Sequence, residues 1–284
     1  MNNTYISFPQ FNPIVFSIGP ITLHWYGITY LLGFLFALYM GKKKIKKNNQ
    51  WTQKEIEDLI FNAFFSLLIG GKLGYIIFYN PFYYFTNATH LLKIWEGGMS
   101  FHGGFLGVLI YVFFFSKKTK KSFLQITDFI APLVPFGLGA GRIGNFINGE
   151  LWGKVATDMP LSILFPGSKE TDLILSTFHP ELQILINKFG VLPRHPSQIY
   201  EFFLEGIILF FILHFFSRME TKKGTVSAIF LISYGVLRVI AEFFREPDLQ
   251  IGLLFGIISM GQILSLPMIT IGITIMIKNN IKYV

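Results

Sequence analysis

The sequence predicts an all-α polytopic membrane protein, with about seven transmembrane helices and one small extramembrane head. Of its 284 residues, 52% are hydrophobic, and the mean hydropathy is +0.51. Only 14% are charged, against roughly 25% in soluble domains. The apolar residues also come in runs that match the roughly 20 residues a helix needs to cross a bilayer. The 33 phenylalanines suit helix faces turned toward lipid.

The runs lie at about 18–41, 56–79, 98–116, 123–141, 197–216, 225–243 and 253–277. The first ends at Lys42, Lys43, Lys44, Lys46 and Lys47. The second carries Lys72. The third ends at Lys117, Lys118, Lys120 and Lys121, and the fourth leads into Arg142. Arg218, Lys222 and Lys223 follow the fifth, while Lys278 and Lys282 close the seventh. The opposite side has no lysine in the first 17 residues and only Lys93 between spans two and three. By the positive-inside rule the N-terminus faces outside and the C-terminus the cytoplasm. Glycine and proline interrupt several runs, as membrane helices tolerate. No repeat marks a second domain, so residues 1–284 read as a single integral membrane domain. The connection 142–196, with Pro160, Pro166, Pro180 and Pro193, is expected outside as a cap of short helices or strands.

The net charge of +8 sits in short lysine blocks between spans, with no arginine patch interleaved with aromatics. That argues for a lipid bilayer as partner and against nucleic acid. The absence of cysteine excludes disulfides, thiolate metal sites and a cysteine nucleophile. Met1 to Ser17 hold no basic residue and no small-residue cleavage site, so no signal peptide is expected and the first run stays as a span.

Residues Gly141 to Gly153 read GRIGNFINGELWG, at the edge of a span where polar groups are costly. Arg142, Asn145 and Gly149 share one face if the helix continues, with Asn148 and Glu150 beside it. The topology brings other polar groups to the same outer level: His24 and Tyr26, Lys72, His102, then His195, Gln198, Glu201 and Glu205. Tyr234, Arg238, Glu242 and Arg245 follow at helical spacing on one face. A single polar cavity accounts for this convergence. Plainer readings compete residue by residue: an intramembrane ion pair for Arg238 and Glu242, the aromatic belt for Tyr26, close helix contact for the glycines. They are weakest at 141–153, because close contact needs neither an arginine nor two asparagines.

Arginines converging on one cavity suit a phosphate, which guanidinium can bind bidentately. Asp58, Asp128, Asp158, Asp172 and Asp248 are scattered, which argues against a Mg²⁺-dependent diphosphate site. Metal-free chemistry on a phosphodiester lipid fits better, with no cofactor expected and histidine as a base that titrates near neutral pH.

The 141–153 segment resembles the defining motif of the bacterial phosphatidylglycerol–prolipoprotein diacylglyceryl transferases. Supporting segments are His24-Trp-Tyr-Gly27, Gly70-Gly-Lys-Leu-Gly-Tyr75, Gly97 to Gly104, Arg194 to Glu201, and Tyr234 through Arg238 and Glu242 to Asp248. The resemblance spans nearly the whole chain in order. It implies a seven-span inner-membrane enzyme with a periplasmic N-terminus and head and a cytoplasmic C-terminus. Such an enzyme moves diacylglyceryl from phosphatidylglycerol to the lipobox cysteine thiol of a preprolipoprotein, and glycerol 1-phosphate leaves. Lys72 departs from the arginine expected there in many members, which costs a planar fork.

On that resemblance Arg142 holds the phosphate and Arg238 stabilises the departing charge. Asn145 and Asn148 donate to the headgroup, while Glu150 orients them or Arg142. Glu242 and Tyr234 position Arg238, Gly153 permits a turn, and Tyr26 holds lipid or peptide. His102 is the candidate base for the thiol and His195 its rival; His195 and Glu201 join the substrate-binding set. The competing function is a phospholipid flippase or transporter with its polar cavity in the outer leaflet. Against it stand the absence of a repeat and the gathering of polar groups at one level.

Overall fold

The structure is a computed structural model that describes residues 5–19, 21–45, 50–79, 81–86, 99–247, 252–254 and 256–281. The chain opens on a short strand, β1 (Ile6–Ser7), and a hairpin of β2 (Ile14–Ile18) and β3 (Ile21–His24). Helix α1 (Trp25–Ile45) follows, so the first apolar run starts as strand rather than as helix at Ile18. The β-branched residues Ile14, Val15, Ile18, Ile21 and Thr22 favour the strands, and Gly19 supplies a positive φ of 58° between them.

Helix α2 (Gln53–Tyr79) starts from a reciprocal cap. Glu55 accepts the Thr52 amide at 2.8 Å, and the Thr52 hydroxyl accepts the Glu55 amide at 3.2 Å. Next come α3 (Pro81–Thr86) and α4 (Phe101–Thr119), the latter capped by Ser100. Ser122 caps α5 (Phe123–Ile130), and a 3₁₀ turn containing Pro132 leads into α6 (Val134–Ile147). Arg142 and Asn145 are therefore helical, and the insertion begins after Ile147 rather than at Arg142.

The insertion holds β4 (Ile163–Leu164), α7 (Lys169–Phe178), α8 (Gln183–Phe189) and β5 (Pro193–Arg194). Strand β4 lies between β1, parallel, and β5, antiparallel. The protein is thus mostly helical, but these two small sheets amend the all-α expectation. Helix α9 (Ser197–Glu201), a π-helical stretch (Phe202–Ile208) and α10 (Leu209–Phe216) run on continuously. They are followed by α11 (Thr225–Glu242) and α12 (Met260–Ile281).

Five described stretches are long and apolar enough to cross a membrane: Gln53–Ile77, Phe123–Ile147, Ser197–Phe216, Thr225–Glu242 and Met260–Asn279. Helix α1 lies against α6 and α2, and α4 against α2. Along α2, Phe61, Phe65, Ile69, Leu73 and Ile77 are exposed at every fourth position, a stripe that water would not favour and lipid would. Buried apolar clusters sit between the helices, one around Ile56, Val112, Ile126 and Phe129, another around Leu209, Leu213 and Ile229.

The helix ends sort into two levels. Lys42 pairs with Glu57, Lys121 with Glu55, and Asp128 accepts the Gly224 and Ser227 amides. These contacts gather the lysine-bearing end of α1 and the α4–α5 connection with the start of α2, and the second half of α5 with the start of α11. The ends of α6 and α11 and the starts of α1, α9 and α12 meet at the other level. That second level holds the polar residues.

Candidate active site

Arg142 lies near the end of α6, where the helix crosses the π stretch at a contact between Gly139 and Gly206. A Cβ on either glycine would stand 2.9–3.1 Å from the other's Cα, so the two backbones touch. The contact leaves Arg142 facing Glu201 and Glu205, one turn apart. Its Nε and Nη2 donate to Glu205 Oε2 at 3.2 and 3.0 Å. Its Nη1 lies 3.0 Å from Glu201 Oε2, an ion pair without hydrogen-bond geometry. From α11, Arg238 Nη1 donates to Glu201 Oε1 at 2.8 Å and Glu205 Oε1 at 3.1 Å, while its Nη2 grips Glu242. Arg245 Nη1 reaches Glu201 Oε1 at 3.2 Å.

Three arginines and three glutamates therefore share one buried network and cancel in charge. Both Glu201 and Glu205 are fully inaccessible, whereas Arg142 and Arg238 keep 16% and 13% of their side chains exposed. The carboxylates are thus the more deeply buried half of the network, and the two arginines the half that keeps some exposure. Each guanidinium carries five N–H donors, more than these contacts use. Removing one carboxylate from such a set costs about 3–5 kcal/mol, because it leaves a buried charge unpaired.

A second cluster surrounds Glu150. Its carboxylate accepts from Asn145 Nδ2 at 2.8 Å and Asn148 Nδ2 at 3.4 Å, and its carbonyl accepts from Gln198 Nε2 at 2.6 Å. Asn148 Oδ1 and Gln198 Oε1 are buried acceptors with no donor among the described residues. Helix α6 stops at Ile147 and Gly149 takes a φ of 65°, so Gly149 leaves the face it was expected to share with Arg142 and Asn145. Glu150 orients the asparagines, not Arg142, which belongs to the carboxylates of α9 and the π stretch.

Tyr26 packs on Gly144, where a Cβ would stand 3.0 Å from the ring, and its hydroxyl lies 3.1 Å from that of Tyr30. It is within electrostatic reach of both Arg142 and Glu150, between the two clusters. Tyr234 is buried beside Phe230, within reach of Glu205, Arg238 and Arg142. Helix α11 ends at Glu242, so Arg245 reaches the network from beyond the helix rather than from its face. There it pairs with Gly153, in extended backbone. A Cβ at Gly153 would stand 2.5 Å from the Phe244 carbonyl oxygen and 2.6 Å from that of His195. Close approach, not a turn, is what Gly153 permits.

The described contacts of His195 are not to Arg142 or Arg238. Its Nδ1 lies 3.2 Å from the Tyr200 hydroxyl, its ring packs edge-on to Phe244, and its carbonyl holds the Gly153 amide. Burial, with the nearby Lys154 charge adding to it, holds the imidazole below its ordinary value, so it is neutral at pH 7. His24 bonds Thr22. Lys72 is buried against Tyr84, 3.3 Å from its hydroxyl. His102 is in the first turn of α4, and its side chain lies outside the described residues. Among the described residues no three His, Asp or Glu are grouped to hold a metal ion.

Residues 13–278 match the family model described as prolipoprotein diacylglyceryl transferase. The chain belongs to that family. A relative from Buchnera aphidicola subsp. Baizongia pistaciae, named phosphatidylglycerol–prolipoprotein diacylglyceryl transferase, is 59% identical over 98% of this chain and 99% of its own length. Relatives of the same name from Serratia proteamaculans and Erwinia tasmaniensis are 53% and 54% identical over 98% of the chain, and over 96% and 95% of their own lengths. The expected membership in the prolipoprotein diacylglyceryl transferases thus stands on nearly the full length.

Sequence reasoning put Glu205 and Gln198 in the polar cavity without giving either a role, and it named Arg194 only as the start of a supporting segment. The spacing of Glu201 and Glu205 on an apolar span was the available signal for Glu205. Arg194 is wholly buried, bonded to Asp172 at 2.8 Å, the Gly153 carbonyl at 2.9 Å and Glu246 at 3.0 Å. Its partners lie far away in sequence, and no local pattern announces them.

Proposed function

We propose that this chain transfers the diacylglyceryl group of phosphatidylglycerol to the lipobox cysteine of a prolipoprotein. The carbon–oxygen bond to the phosphate breaks, a carbon–sulfur bond forms, and glycerol 1-phosphate leaves with its new negative charge. The observation that carries this reading is the pair Arg142 and Arg238, held by the inaccessible Glu201 and Glu205 while keeping 16% and 13% of their own side chains exposed. A prepositioned pair stabilises charge as it develops on the departing phosphate, without reorganising first. The unpartnered acceptors Asn148 Oδ1 and Gln198 Oε1 suit the two hydroxyls of a glycerol headgroup, while Glu150 holds the Asn148 amide in place. The thiol carries a proton with a pKa near 8.5 that must be removed. His102 is the base in this reading, and His195 positions the Gly153 strand.

In the same reading α1 and α4 complete seven spans in the inner membrane. The lysine level faces the cytoplasm and the arginine level, with the head, faces the periplasm. The test is phosphatidylglycerol labelled in its diacylglyceryl group, in vesicles holding the protein and a lipobox peptide. Label on the peptide thiol with release of glycerol 1-phosphate is expected. Label crossing the bilayer with no labelled peptide would replace this reading with a flippase.

A further inference from the structure

Glu242 grips Arg238 with Oε1, and its other oxygen accepts the Ser259 hydroxyl at 2.6 Å. Ser259 is buried and directly precedes α12. Its Oγ accepts the Gln262 amide at 3.2 Å, and Gln262 Oε1 accepts the Ser259 amide at 3.0 Å. This reciprocal cap fixes the serine side chain, so its single O–H can point only at Glu242. A second feature agrees. A Cβ at Gly261 would stand 2.5 Å from the Glu242 carboxyl carbon, so only glycine lets that carboxylate dock on the start of α12. The helix N-terminus also favours a negative charge there.

We infer that Ser259 is a positioning residue for the transfer reaction, orienting Glu242, and through it Arg238, from the N-terminus of α12. The inference rests on the proposed role of Arg238 at the departing phosphate. Arg238 keeps one Nη on Glu242, and a free carboxylate rotation there would swing the planar fork off the phosphate. Ser259 touches no substrate itself, and its effect falls on the rate of the chemical step rather than on lipid binding.

The full-length protein in vesicles, with labelled phosphatidylglycerol and a lipobox peptide, provides the test. Ser259→Ala is expected to lower kcat by about tenfold or more, as loss of a hydrogen bond to a charged group does, with KM for the lipid little changed. Ser259→Thr keeps hydroxyl and cap and is expected to restore most of that rate. Ser259→Gly separates position from stability. Glycine serves at a helix N-cap nearly as well as serine, but it offers Glu242 no donor. Loss of kcat in Ser259→Gly at a near-wild-type melting temperature is the expected result. Wild-type kcat in Ser259→Gly, or losses that track melting temperature across the variants, would overturn the inference. Failure of the wild-type protein to label the peptide would instead sink the proposed reaction itself.

Discussion

Arg142 is held by two carboxylates on a neighbouring helix, and that is what makes it usable. A lone arginine at a membrane edge would turn to the headgroups, but here its fork is held by Glu201 and Glu205 while 16% of the side chain stays exposed. Arg142→Ala is expected to abolish lipid transfer while membrane insertion continues, measured by the labelled-peptide assay and by membrane fractionation. Near-normal activity would remove its phosphate-holding role. Arg238→Lys keeps the charge but has three rotatable donors where the fork spanned Glu201, Glu205 and Glu242, so a loss of about a hundredfold or more in kcat is expected. His102→Gln is expected to erase the acidic limb of the pH–rate profile. A profile that keeps the wild-type limb would move the base to another group, with His195, neutral at pH 7, next to be tested.

At the scale of elements, the site depends on how closely helices and head approach. The contact of Gly139 with Gly206 sets Arg142 on its carboxylates. The head is tied to the site through Arg194, which bonds Asp172, the Gly153 carbonyl and Glu246. Asp172 also accepts the Ser168 hydroxyl and the Leu192 amide. Asp172→Asn is expected to destabilise the protein by about 3 kcal/mol, because the wholly buried Arg194 then keeps only the partly exposed Glu246 as counter-charge. Activity should fall with it, since the Gly153–Arg245 pairing hangs on the same arginine; an unchanged melting curve would contradict this. These features also show what the sequence could reveal. Arg142, Asn145, Tyr234, Arg238 and Glu242 were legible because helical spacing and span edges place them without knowledge of any partner. The hairpin at 14–24 leads into the first apolar run and takes its opening residues, where β-branched residues suit either state. The roles of Glu150 and Gly153 were legible only as polarity and smallness, because their partners Gln198, Phe244 and His195 come from distant segments.

For the whole molecule, the ordering of helix ends makes an asymmetric protein with lysines at one level and the arginine–glutamate network at the other. Exposed apolar stripes such as that of α2 need lipid around them. The natural absence of cysteine makes the orientation easy to read. A single Glu181→Cys in the head is expected to react with an impermeant maleimide in intact cells with the outer membrane opened. Lys43→Cys is expected to react only after the inner membrane is breached; the reverse pattern would invert the topology. Charge placement sets that expectation from the sequence alone, since lysine blocks need no tertiary contact to be counted. Cancellation of the six buried charges was not legible, because it depends on three separate segments meeting. That neutrality frames the central claim, that an anionic lipid phosphate binds at the exposed parts of Arg142 and Arg238. The most direct measurement is a structure of the full-length protein with phosphatidylglycerol bound. The expected phosphate lies within about 4 Å of both guanidinium groups, with Glu201 and Glu205 still paired to them. A phosphate seated elsewhere, with both arginines engaged only by their glutamates, would contradict it.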